Sequence, residues 1–215
     1  MIRSLAEKIT LFENSDIYPV VSSDFCSSRS VPDVLAGIAA GGAKIVQIRE
    51  KSMSDCAMFE LLQVCKRITD AYNMLLIVDD RLDLAMAVGA DGVHLGQDDF
   101  PLVQAKKLAP EMLFGVSTHN AHEIDSALQN NCGYLNIGPV FPTQTKSVPC
   151  GALGLDLVAE LSKKVTCPHS VMGGIKEHHL PLLLGKNFRH IAMVTEITTA
   201  PDVAQKVKQL RSYWK

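Results

Sequence analysis

Eight times along the chain a short run rich in β-branched residues is followed by a longer amphipathic segment, and this alternation restricts the fold more than any other feature. The short runs fall at 17–22, 44–48, 74–78, 91–95, 113–117, 134–138, 169–172 and 190–194. Helical periodicity follows at 31–40, 54–72, 81–88, 102–109, 121–129, 155–163, 177–184 and 202–214. Pro32 sits in the first turn of one such segment, and Phe59, Leu62, Cys65 and Ile68 mark the apolar face of another. Regular βα alternation requires parallel strands joined by right-handed crossovers, which leaves a closed barrel or a doubly wound sheet. The even spacing of the units favours an α/β fold of the (β/α)8 TIM-barrel type, as does the lack of a G-x-G-x-x-G turn before the first helix. The residues before 17 read as an extra N-terminal helix on the barrel floor. No linker interrupts the pattern, so 1–215 reads as a single barrel domain.

Composition narrows the partners. Twenty-one Lys and Arg against 23 Asp and Glu give a net charge of −2, which argues against nucleic acid or an acidic membrane as the main partner. Small phosphorylated ligands remain compatible with a local basic patch, and self-association into a homo-oligomer stays open. The six cysteines, at 26, 56, 65, 132, 150 and 167, form no C-x-x-C pair and no zinc spacing, so they read as free thiols with no redox pair. Charge appears early in the N-terminal segment, and the longest purely apolar run, 74–78, is far shorter than a membrane span; a cytoplasmic protein is expected.

In a barrel, chemistry gathers at the C-terminal strand ends, and polar residues and glycines cluster there in this sequence. Alternation after the second run sends Gln47, Arg49 and Lys51 to one side, an amide and two cations suited to a polyphosphate; a solvated strand end is the plainer reading. Asp80 and Asp99 follow adjacent runs and would converge to seat Mg²⁺ against a phosphate, unless they cap the next helices. Asp98 reads as a helix cap. A second anion site combines Thr143 and Thr145, beside Lys146, with the backbone amides of Gly173, Gly174 and the region of Thr195; it reads as neutral, built from amides and hydroxyls. Two such sites suggest a diphosphate on one reactant and a monophosphate on the other. His94 reads as a satisfied wall residue, and His119 stays open between acid–base and surface roles. His178 and His179, being neighbours, form no i, i+4 metal pair.

The strings QIREK (47–51), VDDRLDLAMAVGADGVHLGQDD (78–99), GVSTH (115–119), GPVFPTQTK (138–146), ALGLD (152–156) and MGGI (172–175) together resemble the thiamine-phosphate synthase family over about residues 17–200. The resemblance implies a (β/α)8 enzyme that joins 4-amino-5-hydroxymethyl-2-methylpyrimidine diphosphate to 4-methyl-5-(2-phosphoethyl)thiazole. Pyrophosphate would leave first, with Mg²⁺, and the thiazole nitrogen would capture a pyrimidine methylene cation. Carried over by position, Gln47, Arg49, Lys51, Asp79, Ser117 and Lys146 fall in the pyrimidine diphosphate site, with Arg49, Lys51, Ser117 and Lys146 taking the catalytic part. Asp80 and Asp99 would hold Mg²⁺, and Thr143, Thr145, Gly173, Gly174, Val194 and Thr195 the thiazole phosphate.

The sequence departs from the family at three places. Asp79 stands where Asn is usual, Thr195 where Ser is usual, and Asn187-Phe188-Arg189 where Gly-Ala-Asp is usual. Asp79 adds a carboxylate that would repel a diphosphate unless something compensates it. Two alternatives follow: a thiazole tautomerase, which needs no diphosphate site, and a non-catalytic regulatory paralogue that binds a thiamine precursor. The intact QIREK and TQTK strings favour the synthase.

Overall fold

Strands that are apolar on both faces need cover on both, and a closed parallel sheet ringed by helices provides it. The computed structural model describes residues 3–143 and 151–214. Its strands β1 (Ile17–Val21), β2 (Ile45–Ile48), β3 (Leu75–Asp79), β4 (Gly92–Leu95), β5 (Leu113–Thr118), β6 (Tyr134–Ile137), β7 (His169–Val171) and β8 (His190–Met193) close a parallel barrel in chain order. The seam is the β1/β8 pair, with Ile17 opposite Ile191 and Pro19 opposite Met193. Helix α1 (Leu5–Glu13) precedes the barrel. The others are α2 (Val31–Ala40), α3 (Asp55–Ala71), α4 (Leu82–Val88), α5 (Leu102–Leu108), α6 (Ala121–Gln129), α7 (Leu155–Ser162), α8 (Leu180–Gly185), α9 (Thr195–Thr198) and α10 (Val203–Arg211).

Local chemistry sets many of these boundaries. Ser4, Ser30, Ser54, Asn120 and Asp202 each cap a helix by accepting a backbone N–H three residues on. Helix α4 ends at Gly89 with φ +67°, a left-handed turn that glycine enters freely. The expected Asp98 cap is not formed. Pro101, not Asp98, holds the N-cap position of α5, and it makes no side-chain cap hydrogen bond. Helix α9 was not anticipated, because four residues are too few to show a period.

Strand alternation separates two apolar layers. Tyr18, Ile45, Leu75, Ile77, Leu113, Tyr134 and Ala192 fill the barrel with Phe12 of α1, whereas Ile17, Val46, Leu76, Phe114, Leu135 and Ile191 belong to the layer beneath the helices. The Phe12 ring stacks on Tyr134 with centroids 4.3 Å apart, so α1 plugs the floor. Arg3 Nη1 pairs with Asp91 at 2.7 Å, and Lys8 Nζ donates to the Glu111 carbonyl at 2.7 Å, fastening that plug to the N-terminal strand ends. A side chain at Gly115 on β5 would overlap the Tyr134 ring, so only glycine lets the ring cross the barrel there. After α8, Asn187 adopts φ +66° and Phe188 is buried in the core. The departure at 187–189 thus supplies a residue tolerant of the left-handed turn and one that fills space. Among the described residues no helix is long and apolar enough to cross a membrane.

Candidate active site at the C-terminal rim

Gln47 lies on the inner face of β2, and the alternation continues past the strand end to Arg49 and Lys51. Arg49 Nε and Lys51 Nζ each lie 3.3 Å from Asp79 Oδ2, and Lys51 also pairs with Asp80. Asp79 is the buried last residue of β3. Its extra charge is therefore answered by the two cations of the QIREK segment. Asp80 follows with φ +58°, and its carboxyl is hydrogen-bonded to that of Asp99, beyond β4. Asp99 Oδ2 also accepts the Gly96 N–H at 2.6 Å. The helix-cap reading for this pair fails, since Arg81 and Pro101 occupy the N-cap positions of α4 and α5.

Burial, the charge of Asp79 and the hydrogen bond with Asp99 together push the Asp80 carboxyl up to about 6, although Lys51 pulls the other way. Two carboxyl groups this close hold either a proton or a hard cation between them. Among the described residues no three His, Cys, Asp or Glu side chains are grouped to hold a metal ion. A pair of carboxylates with phosphate and water completing the shell is the donor set that suits Mg²⁺, so the residues present fit that ion.

A buried polar chain links the predicted pyrimidine-side residues, and sequence reading missed it. Gln47 Nε2 donates to Tyr18 Oη at 3.1 Å, Tyr18 Oη lies 2.7 Å from Tyr134 Oη, Tyr134 Oη 3.0 Å from His94 Nδ1, and His94 Nε2 2.8 Å from Ser117 Oγ. An amide nitrogen only donates, and burial holds both tyrosines protonated by raising them above their ordinary range. In the arrangement where each hydroxyl passes its proton onward from Gln47, His94 is the Nε2–H tautomer and the Ser117 hydroxyl proton is left for another acceptor. His94 is the wall residue that its apolar surroundings suggested. His119 Nδ1 sits 2.8 Å from Glu123 Oε2, and its backbone N–H meets the same oxygen at 2.8 Å, tying it to the first turn of α6.

Across the rim, the ends of β7 and β8 form a cavity of about 40 Å³ bordered by Thr143, Gly173, Gly174, Val194 and Thr195. Gly173 (φ +101°) and Gly174 (φ +64°) lie so close to Pro139 and Pro142 that a side chain at either would overlap them. Val140 and Phe141 donate backbone N–H groups to Met172 and Gly173, and the Phe141 ring stacks on His179 at 3.9 Å, which anchors the segment leading to Thr143. Thr195 opens α9 rather than ending β8. The cavity is not neutral, as the sequence suggested. Lys176 Nζ donates to Thr195 Oγ1 at 2.9 Å and lies 3.7 Å from Glu196, which Lys206 also contacts at 2.9 Å. A cation two residues past a Gly-Gly turn was the available signal. Thr145 and Lys146, expected at these sites, lie outside the described residues.

A closed parallel barrel whose rim carries a cationic, carboxylate-lined end opposite a glycine and hydroxyl cradle defines a (β/α)8-barrel enzyme of small phosphorylated substrates. The model of the family described as thiamine monophosphate synthase matches residues 17–197. The thiamine-phosphate synthase of Caldicellulosiruptor saccharolyticus is 37% identical over 98% of this chain and 96% of its own, and that of Dictyoglomus thermophilum 36% over 95% and 92%. The solved thiamine phosphate pyrophosphorylase from Pyrococcus furiosus superposes with a TM-score of 0.87 at 29% identity, covering 94% of this chain and 96% of that one. The chain belongs to the thiamine monophosphate synthase family, and it is a transferase of thiamine biosynthesis. A 3-hexulose-6-phosphate synthase, 17% identical with a TM-score of 0.63 over 92% of this chain and 99% of its own, shares the fold alone.

Proposed function

We propose that the enzyme joins 4-amino-5-hydroxymethyl-2-methylpyrimidine diphosphate to 4-methyl-5-(2-phosphoethyl)thiazole by a Mg²⁺-dependent, dissociative route. The observation that carries this reading is the convergence of Arg49, Lys51, Asp80 and Asp99 at one side of the rim, opposite a separate phosphate-sized cradle. When bound at Asp80 and Asp99, Mg²⁺ supplies positive charge to the leaving diphosphate. Arg49 and Lys51 hold the diphosphate and stabilise the charge that grows on it as the carbon–oxygen bond breaks, with Lys146 as a third cation. Ser117 donates its hydroxyl proton to the pyrimidine, on the side fixed by the chain from Gln47 to His94. Thr143, Thr145, Val194, Thr195, Lys176 and the Gly173 and Gly174 amides hold the thiazole monophosphate, so that the ring nitrogen meets the methylene carbon within a confined geometry. A site of this kind stabilises charge and needs neither a nucleophile nor a strong base. The phosphorylated substrates and the charge balance support a cytoplasmic enzyme without nucleic-acid or membrane partners.

The test is pyrophosphate release with both substrates, in Mg²⁺ and then in excess EDTA. Turnover in Mg²⁺ that stops in EDTA and returns on adding Mg²⁺ is expected. Full turnover in chelator would sink the metal assignment. Tight thiazole phosphate binding with no turnover under any metal would instead point to the regulatory paralogue.

A further inference from the structure

At the barrel floor, opposite the rim, two cysteines meet that the sequence holds 35 residues apart. Cys132 precedes β6 and Cys167 precedes β7, and their Sγ atoms are 3.8 Å apart. β6 and β7 are neighbours, with Leu135 opposite His169, so strand register brings the two thiols together. Cys132 is buried and Cys167 partly exposed, so Cys167 is the more accessible of the pair.

We infer that Cys132 and Cys167 form an oxidisable dithiol that hydrogen peroxide converts to a disulfide. The Cys167 thiolate attacks one oxygen of hydrogen peroxide: a sulfur–oxygen bond forms, the oxygen–oxygen bond breaks, and the departing hydroxide takes the proton that Cys167 released and becomes water. Cys132 then attacks the Cys167 sulfenic acid; the sulfur–sulfur bond forms, the sulfur–oxygen bond breaks, and the departing hydroxide takes the Cys132 proton as a second water. Two thiols are oxidised and one hydrogen peroxide is reduced.

The two sulfurs have unequal surroundings that suit these roles. The hydrogen bond from Cys132 lowers the Cys167 thiol below its ordinary value, while the same contact and burial raise Cys132. Burial holds Cys26 and Cys65 up at about 11 and about 12, away from reactivity. Cys56 is exposed, and its thiol lies 3.9 Å from Glu60 Oε1. The bond would bracket β6, the rim segment with Thr143, and α7, joining the two ends of that stretch at the floor without touching the rim.

The experiment treats wild-type enzyme with a few equivalents of hydrogen peroxide, blocks remaining thiols with iodoacetamide, and maps peptides without reduction. Expected are a Cys132–Cys167 linked peptide, a loss of two from the six thiols titrated in denaturant, and a midpoint of thermal unfolding higher by roughly 5–10 °C that dithiothreitol reverses. In Cys132→Ser, dimedone should label Cys167 as a sulfenic acid; in Cys167→Ser, Cys132 should stay unlabelled. Oxidation confined to Cys56, or peroxide consumption with no linked peptide in the wild type, overturns the inference. The wild-type mapping decides the matter even if a serine variant folds poorly.

Discussion

Replacing Asp79 by Asn tests the electrostatics of the diphosphate site directly. In the wild type Asp79 Oδ2 sits 3.3 Å from both Arg49 Nε and Lys51 Nζ. At that distance one pair attracts by about 5 kcal/mol at an effective dielectric of 20 and by about 1.3 kcal/mol in water. Lys51 is 44% exposed, which lets solvent screen its pairing well below the upper figure, whereas Asp79, 9% exposed, keeps it above the aqueous one. An incoming diphosphate has to compete with Asp79 for the same cations. Releasing them should improve its binding by about 1.4 kcal/mol, or about tenfold. Asn keeps the shape and can donate to a phosphate oxygen where Asp can only accept. The assay is initial-rate pyrophosphate release at saturating thiazole phosphate and Mg²⁺, with circular dichroism to check folding. The Michaelis constant for the pyrimidine diphosphate should fall about tenfold, with turnover changed by less than a few fold. An unchanged or higher Michaelis constant in a folded variant would refute the competition.

Three further outcomes follow from the geometry. Lys176→Ala should raise the Michaelis constant for the thiazole phosphate about tenfold, the loss of one partly exposed charge-assisted hydrogen bond, while leaving that for the pyrimidine diphosphate unchanged; equal shifts for both substrates would place Lys176 elsewhere. Gly115→Ala drives a methyl group into the Tyr134 ring and should cost about 2–4 kcal/mol in urea unfolding, with a cost below about 0.5 kcal/mol showing that the ring can move aside. Asp80, held at about 6 in the folded chain against about 3.9 unfolded, binds its proton more tightly when folded. The stability it contributes is complete below about pH 4 and is lost as pH rises through about 6. Screening by solvent reduces this to about 1–2 kcal/mol. Asp80→Asn should flatten that slope in unfolding titrations done in EDTA, and parallel wild-type and variant profiles would contradict it.

The barrel was legible in the sequence because each βα unit carries its own signal. β-branched runs bury on both faces, serine, asparagine and aspartate caps start helices, and eight repeats in order leave few ways to pair. The same local logic placed Gln47, Arg49 and Lys51 on one side, and put Asp80 and Asp99 past the ends of adjacent strands, where they do meet. Distant pairing was invisible. The ion pairs of Asp79, the chain from Gln47 through Tyr18, Tyr134 and His94 to Ser117, the Lys176 contact with Thr195, and the Cys132–Cys167 approach all join residues whose separation in sequence carries no period. Asp98 failed as a cap for a related reason, since the start of α5 depended on where Pro101 fixed the backbone. Sequence alone determined the elements and their order, through short-range propensity and burial. Tertiary structure decided which charges face each other and which sulfurs touch, because closing the barrel brings strand ends together across it, and Coulomb energy and hydrogen bonding depend on those distances rather than on position along the chain.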